Sequence, residues 1–246
     1  MSPEVRDAVI LQVIESVGST NDVVAALALD NPGALLVACT ADEQTAGRGR
    51  LDRTWTSPFG AGVALSVAFP AGAIAHSATL IPLHFGLLAV RALSDCGAVV
   101  QLKWPNDIVI DGEVEGLRKL GGILSTKTNE LVIVGVGINF SLDENELPTQ
   151  SASSLSLEGF SVSREEFLGR FLSLIWEVLS ADTGNDGWLE DYKTVCSTLG
   201  REVTVHQADG THYLAHATGI DEHGGLVISR DGKPEVVTVG DIVHLR

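Results

Sequence analysis

The segment Gly47-Arg48-Gly49-Arg50-Leu51-Asp52-Arg53 gathers three of the chain's 16 basic residues into one short run. Its glycines let the backbone turn sharply and present N–H groups inward, and each guanidinium is a fixed fork of donors, a combination suited to phosphate or carboxylate. Short patterns of this kind also occur by chance in solvated basic loops and in RNA-contacting arginine-glycine segments. This one is single, opens into Trp55 and an apolar stretch, and sits in an acidic chain, which favours a small anionic ligand. Further on, Arg118-Lys119-Leu120-Gly121-Gly122-Ile123-Leu124 sets two cations before a Gly-Gly that lets a ligand approach strand backbone. A lysine there is an ordinary solvated strand end or, within the same site, the charge that stabilises phosphoryl or nucleotidyl transfer. Lys103-Trp104-Pro105-Asn106-Asp107 reads as a hairpin turn from its spacing. Its functional reading makes Asp107 a magnesium ligand, because hard cations bridge carboxylates and phosphates. Gly135-Val136-Gly137-Ile138-Asn139 puts glycines inside a strand, for which a β-bulge is the structural reading.

Regular elements have to hold these residues. Ser19-Thr20-Asn21 offers cap candidates for a helix over residues 22–29, with Asp22 in its first turn. Residues 63–69 alternate as a strand, and residues 77–96 have helical apolar spacing that stops at Gly97. Strand-like runs follow at 99–103, 120–125 and 131–140. Strands in succession with few helices between them predict an α+β fold with a mixed, mainly antiparallel sheet. Residues 141–162 form a polar loop, Ser163-x-x-Glu166 has the spacing of a capping box, and Phe167, Phe171, Leu174, Ile175 and Leu179 share one helical face. A further helix is expected over 188–199. After Gly200 the runs 203–205, 213–220, 225–229, 235–239 and 242–245, separated by turns such as Asp209-Gly210, Gly224-Gly225 and Asp231-Gly232, predict a small all-β barrel that docks on the larger unit.

The net charge of -16 argues against a nucleic-acid partner, since backbone phosphates are bound by massed Lys and Arg. The acidity is uneven: residues 42–140 hold 8 basic and 9 acidic side chains, against 8 and 23 in the remainder. The chemistry-bearing segments thus lie in a region exempt from the acidity. Cys39, Cys96 and Cys196 are odd in number and far apart, with no zinc or disulfide spacing, which fits a reducing cytoplasm. Glu4, Asp7 and Glu15 stand where a signal peptide would need basic residues. No charged residue occurs between Arg53 and Arg91, but Pro58, Pro70 and Pro82 divide that stretch into pieces too short to span a bilayer, so it reads as buried core.

Taken in order, Ser19-Thr20-Asn21, Asp42-Glu-Gln-Thr-Ala-Gly-Arg-Gly-Arg50 running on through Arg53, Trp55 and Ser57-Pro-Phe-Gly60, then Lys103-Trp-Pro-Asn-Asp107, Lys119-Leu-Gly-Gly-Ile-Leu124 and Gly135-Val-Gly-Ile-Asn139 resemble the biotin protein ligases. The resemblance covers about residues 16–140, and the small barrel after 197 also follows that family's arrangement. It implies a class II aminoacyl-tRNA synthetase-like catalytic domain over 1–196 and an SH3-like domain over 197–246. It also implies a cytoplasmic two-step ligase that forms biotinyl-5'-adenylate from biotin and ATP with magnesium, then transfers biotin to a lysine of a biotin carboxyl carrier domain. Ser19, Thr20, Asn21, Gln44, Gly47, Arg48, Gly49, Arg50, Lys119, Gly122 and Ile123 fall at biotin positions. Arg48, Arg50, Arg53, Trp55, Lys103, Asn106 and Asn139 fall at ATP positions, and Asp107 at a metal position. Lys119 and Arg50 are the catalytic candidates.

The chain departs from that pattern at Asp52, where many relatives carry Gly, and in the expanded 111–118 hairpin. With no room before the catalytic motifs for a winged helix-turn-helix, a monofunctional ligase is expected. Two alternatives stay open: a lipoate or octanoate ligase of the same fold, and a non-catalytic biotin-binding protein.

Overall fold

Seven strands build the main sheet of the computed structural model, which describes residues 5, 8–112, 116–181, 187–207, 210–238 and 241–244. Strands β1 (Val9–Val17) and β2 (Leu36–Gln44) pair in parallel, joined by helix α1 (Thr20–Asp30). Strands β3 (Gly62–Pro70), β4 (Gln101–Lys103), β5 (Asp107–Gly112), β6 (Gly116–Lys127) and β7 (Leu131–Asn139) complete the order β1-β2-β3-β7-β6-β5-β4, and every pair beyond β1–β2 is antiparallel. The mixed, mainly antiparallel α+β sheet expected from the run of strands is therefore present.

The sheet's two faces carry different layers. Val63, Leu65, Val67, Val134, Val136 and Ile138 join the main core with helices α2 (Ile81–Asp95), α3 (Arg164–Ser180) and α4 (Trp188–Val195). The uncharged stretch before Arg91 supplies β3 and most of α2, in which Phe69, Ile81, Leu83 and Phe85 are fully buried. On the opposite face α1 covers a smaller cluster of Val24, Ala28, Val37, Cys39 and Ala68. Burial pushes the Cys39 thiol up to about 11, so it packs as an inert apolar group.

Several boundaries differ from expectation for identifiable reasons. Helix α2 begins at Ile81, where Pro82 occupies its first turn and supplies the helical φ, rather than at residue 77. Ser163 caps α3 by accepting from Glu166 N, but it bonds the Glu165 carboxylate in return, so the capping box is only half formed. Strand β7 is unbroken: its pairings with β3 and β6 keep register through Gly135 and Gly137, so the bulge reading of those glycines is not what the chain does. The register shift in this part of the sheet lies instead between Ile108 and Val109 opposite β6, where Leu120 is skipped. Strands β1 and β2 had no counterpart among the expected elements.

Beyond α4, strands β8 (Glu202–His206), β9 (His212–Ile220), β10 (Leu226–Arg230), β11 (Lys233–Val237) and β12 (Asp241–His244) form a second antiparallel sheet in the order β11-β10-β9-β8-β12. Arg230 pairs with Lys233 around Asp231-Gly232, both at positive φ (51° and 75°), the two-residue turn that matches strand twist. The expected Asp209 and Val239 lie outside the described residues. This sheet docks through Trp104, whose N donates to Thr198 Oγ1 (3.0 Å) and whose indole N–H donates to Gly224 O (2.9 Å). Its inner residues Val203, Ala217, Leu226 and Ile228 belong to the same continuous core as α2. Among the described residues no helix is long and apolar enough to cross a membrane.

Helix α2 also buries His84, fully out of solvent, with its ring stacked on Trp188 at 4.4 Å and its Nδ1 2.8 Å from His76 Nε2. His84 Nε2 has no partner among the described residues, so the economical tautomer donates from Nδ1 to His76 and leaves a bare lone pair at Nε2. Burial, then the neighbouring His76 and Arg91, depress its pKa from 6.5 to about 3. Between those values the unfolded chain binds a proton that the folded chain refuses, so stability falls as pH drops below 6.5, by about 1.4 kcal/mol per unit from this group. Thermal melts from pH 7 to 4 should show that acid limb, and His84→Phe should flatten it.

Candidate active site

The first turn of α1 meets strand β2 through side chains rather than through capping. Ser19 occupies the N-cap without a side-chain capping bond. Thr20 N donates to Gln44 Oε1 at 2.9 Å, and Thr20 Oγ1, Ser66 Oγ and Asn21 Oδ1 form a chain with 2.6 Å at each link. The oxygen ends of Gln44 and Asn21 are thereby occupied, and their NH2 ends are the ones left to face a ligand. Two glycines of β7 make room for this cradle. A Cβ on Gly135 would stand 2.6 Å from Asn21 Oδ1, and one on Gly137 would stand 2.5 Å from the Trp55 indole. Their role is close approach.

The arginine-glycine segment is itself a short hairpin. Trp55 N donates to Gly47 O (2.9 Å), Gly49 N donates to Arg53 O (2.7 Å), and Arg48 bridges Thr54. Leu51 sits at φ 54° in the turn, and a Cβ on Gly47 would fall 2.3 Å from Trp55 O, so only glycine fits there. Arg48 pairs with Asp22 of α1 at 2.5 Å, and Arg50 Nη1 donates to Asn106 Oδ1 at 3.1 Å. Asn106 in turn is fixed to β6: its Nδ2 donates to Ile123 O (2.9 Å), and Ile123 N donates to Asn106 O (2.8 Å).

The bulge at Leu120 orients the cation. Residues three apart on a regular strand point to opposite faces. Because Leu120 is skipped, Val109 lies opposite Lys119 while Asp107 lies opposite Gly122, which brings Lys119, Asp107 and Gly122 to one face. Lys119 Nζ pairs with Asp107 Oδ1 at 2.5 Å, and a Cβ on Gly122 would touch both side chains at 3.6 Å.

Together these elements form an open cleft lined by Ser19, Thr20, Asn21, Gln44, Arg48, Gly49, Trp55, Asn106, Lys119, Gly122 and Ile123, all anticipated from the sequence. It is also lined by Leu65, Ser66, Leu124, Gly135, Val136 and Gly137, which the candidate list did not contain. The glycines had been noticed, though as a bulge; Ser66, the one hydroxyl in the strand GVALSVAFP, was the available signal for the rest. Gly47 supports the hairpin from behind the cleft. Arg50 lines an adjoining hollow that shares Asn106, Ile123 and Leu124 and extends to Trp104 and Gly224. Arg53 is exposed at the base of the hairpin, and Lys103 pairs with Asp107 in the β4–β5 ladder; neither lines the cleft. Asn139 is buried with its amide donating to Ser153 O (2.9 Å), outside the cleft. Glu113 and Glu115 of the expanded hairpin lie outside the described residues.

Residues 13–142, which contain every lining residue of the cleft, match the Biotin/lipoate A/B protein ligase family. The chain belongs to this ligase family. Residues 198–245 match the Biotin protein ligase C terminal domain. Among ligases of the family, the chain is 32% identical to the biotin–[acetyl-CoA-carboxylase] ligase of Mycobacterium tuberculosis, over 96% of this chain and 89% of that one. It is 30% identical to the bifunctional ligase/repressor BirA of Salmonella typhimurium over 79% of this chain, and spans 62% of that longer ligase. The biotin protein ligase of Aquifex aeolicus, solved in complex with biotin and ATP, superposes with a TM-score of 0.78 at 26% identity, covering 96% of this chain and 99% of that ligase.

Proposed function

We propose that the cleft activates biotin with ATP and transfers it to a carrier-domain lysine, making the protein an ATP-dependent biotin–[acetyl-CoA-carboxylase] ligase. The observation that carries this reading is a single cleft lined both by a neutral cradle, in which the oxygens of Asn21 and Gln44 are taken and their NH2 groups remain to donate, and by two cations, Lys119 paired with Asp107 and Arg48 paired with Asp22. Biotin has the matching polarity, with a ureido group at one end and a carboxylate at the other. The dithiolane of lipoate offers nothing for the neutral end to bond, which disfavours the lipoate alternative.

In the first step the carboxylate oxygen attacks the α-phosphorus of ATP and pyrophosphate leaves. Two anions must meet there, and Lys119, on the carboxylate and α-phosphate, offsets their repulsion where charge builds up. Arg48 and Arg50, on the hairpin beside the cleft, contact the nucleotide, and Trp55 gives the adenine an apolar face. Asn106 holds Arg50 through its side-chain oxygen, and Asn139 acts only by fixing Ser153. In the second step the acceptor lysine attacks the acyl carbon and AMP leaves. Among the described residues no cluster of His, Cys, Asp and Glu could cage a metal. Magnesium held mainly by the triphosphate would need few protein oxygens. Asp107, beside Lys119, is the carboxylate that would hold it there, and the ion's chemistry is to neutralise phosphate charge.

In this reading residues 1–196 are a class II synthetase-like catalytic domain, residues 197–246 an SH3-like domain, and the protein works in the cytoplasm on a biotin carboxyl carrier domain. Incubating the purified protein with ATP, magnesium, biotin and such a domain should attach one biotin to the carrier, scored by intact mass. Biotin binding without modification would favour the non-catalytic alternative.

A further inference from the structure

Lys119 stands where its own backbone has few strand partners. The β6–β7 ladder begins only at Gly121, paired with Ile138, and the β5–β6 ladder is interrupted at Leu120. The polar groups of the Lys119 peptide are taken instead by the segment that follows the 141–150 loop. Lys119 N donates to Ser151 O at 2.7 Å, and Ser153 N donates to Lys119 O at 2.8 Å, a parallel bridge centred on Ala152.

This strap is fastened by side chains. Asn139 Nδ2 donates to Ser153 O at 2.9 Å, Ser153 Oγ donates to Glu158 Oε1, and Arg118 Nη2 donates to Glu158 Oε2 at 2.5 Å. The Glu158 side chain is only 6% exposed. Withdrawing a carboxylate from water is costly unless both oxygens are satisfied, and here they are satisfied by the strap and by the residue next to Lys119. The buried carboxylate therefore ties the two flanks of Lys119 together.

We propose that Glu158 is a positioning residue: by clamping Ser153 and Arg118 it fixes the backbone at Lys119 and so the place of the ammonium in the cleft. The inference rests on the ligase reading and adds a residue to it that touches neither biotin nor ATP. A displacement of about 1 Å at a reacting group costs on the order of 100-fold in rate.

Glu158→Gln keeps the side chain's size and can still accept from Ser153, but loses the charge opposite Arg118. Its kcat for biotin-dependent pyrophosphate exchange should fall about 10- to 100-fold, while the KM for biotin stays within about twofold, because the cradle of Thr20, Asn21, Gln44 and Ser66 lies on other elements. Ser153→Ala, a gentler cut in the same tie, should lower kcat by a few-fold in the same direction, and it decides the matter if Glu158→Gln does not fold. In a Lys119→Ala background neither change should reduce the residual rate further. Unchanged kcat with a lowered melting temperature, parallel losses in kcat and biotin affinity, or full additivity with Lys119→Ala would overturn the inference and leave the network a purely structural tie. A wild-type protein without biotin-dependent exchange would instead overturn the ligase reading beneath it.

Discussion

Lys119→Ala should lower kcat for biotin-dependent pyrophosphate exchange by about 100- to 1000-fold and leave the Kd for biotin within a few-fold. The magnitude is that of removing one preorganised charge from a developing anionic centre, about 3–4 kcal/mol. The asymmetry follows from geometry. Lys119 lies on β6 against Asp107, whereas the cradle proposed for the ureido end of biotin, Thr20, Asn21, Gln44 and Ser66, lies on α1, β2 and β3. Calorimetry for binding and exchange for rate separate the two quantities, and equal losses in both would place Lys119 in ground-state binding instead.

Gly135→Ala has the opposite signature. Its methyl would stand 2.6 Å from Asn21 Oδ1 and within 3.3 Å of the amide carbon, so Asn21 or the first turn of α1 must move. Overpacking of this kind costs about 1–3 kcal/mol, and because the displaced group is part of the cradle, the cost falls on the ligand: biotin binding should weaken about 10- to 100-fold. Strand β7 keeps its register, since alanine at this position bonds the backbone as glycine does. The melting temperature should therefore drop by only a few degrees, and kcat at saturating biotin should change less than KM. A variant that binds biotin normally would show that Asn21 does not belong to the cradle.

How much of this was legible follows the kind of signal each residue carries. Arg48 and Gly49 of the arginine-glycine hairpin and Lys119 stand out in their local sequence, and they meet at one cleft with Ser19 and Thr20, which the family resemblance rather than their spacing marked. The antiparallel run from β3 to β7 was equally legible, because alternation marks a half-buried strand. Strands β1 and β2 were not: VILQVIESV is mostly exposed on its outer edge and LVACTADEQ is buried on both faces in its first half, so neither alternates cleanly. A bulge is one reading of the glycines of β7, yet the shift sits at Leu120, beside Gly121-Gly122; which strand carries it is a property of the pair of strands. Asn139 had the right type for a nucleotide contact, but a buried amide also satisfies a buried carbonyl, and it bonds Ser153. Glu158 escaped for the converse reason, since a lone glutamate in a polar loop reads as solvated until the fold buries it.

The central claim is that one cleft joins a biotin-shaped neutral cradle to a cationic centre for adenylation. It is tested most directly by exchange of labelled pyrophosphate into ATP by the purified protein, with biotin or lipoate as the carboxylic acid. The account predicts exchange that depends on biotin, is not supported by lipoate, and is lost in Lys119→Ala. Exchange stimulated by lipoate alone, or biotin-dependent exchange that survives Lys119→Ala unchanged, would contradict it.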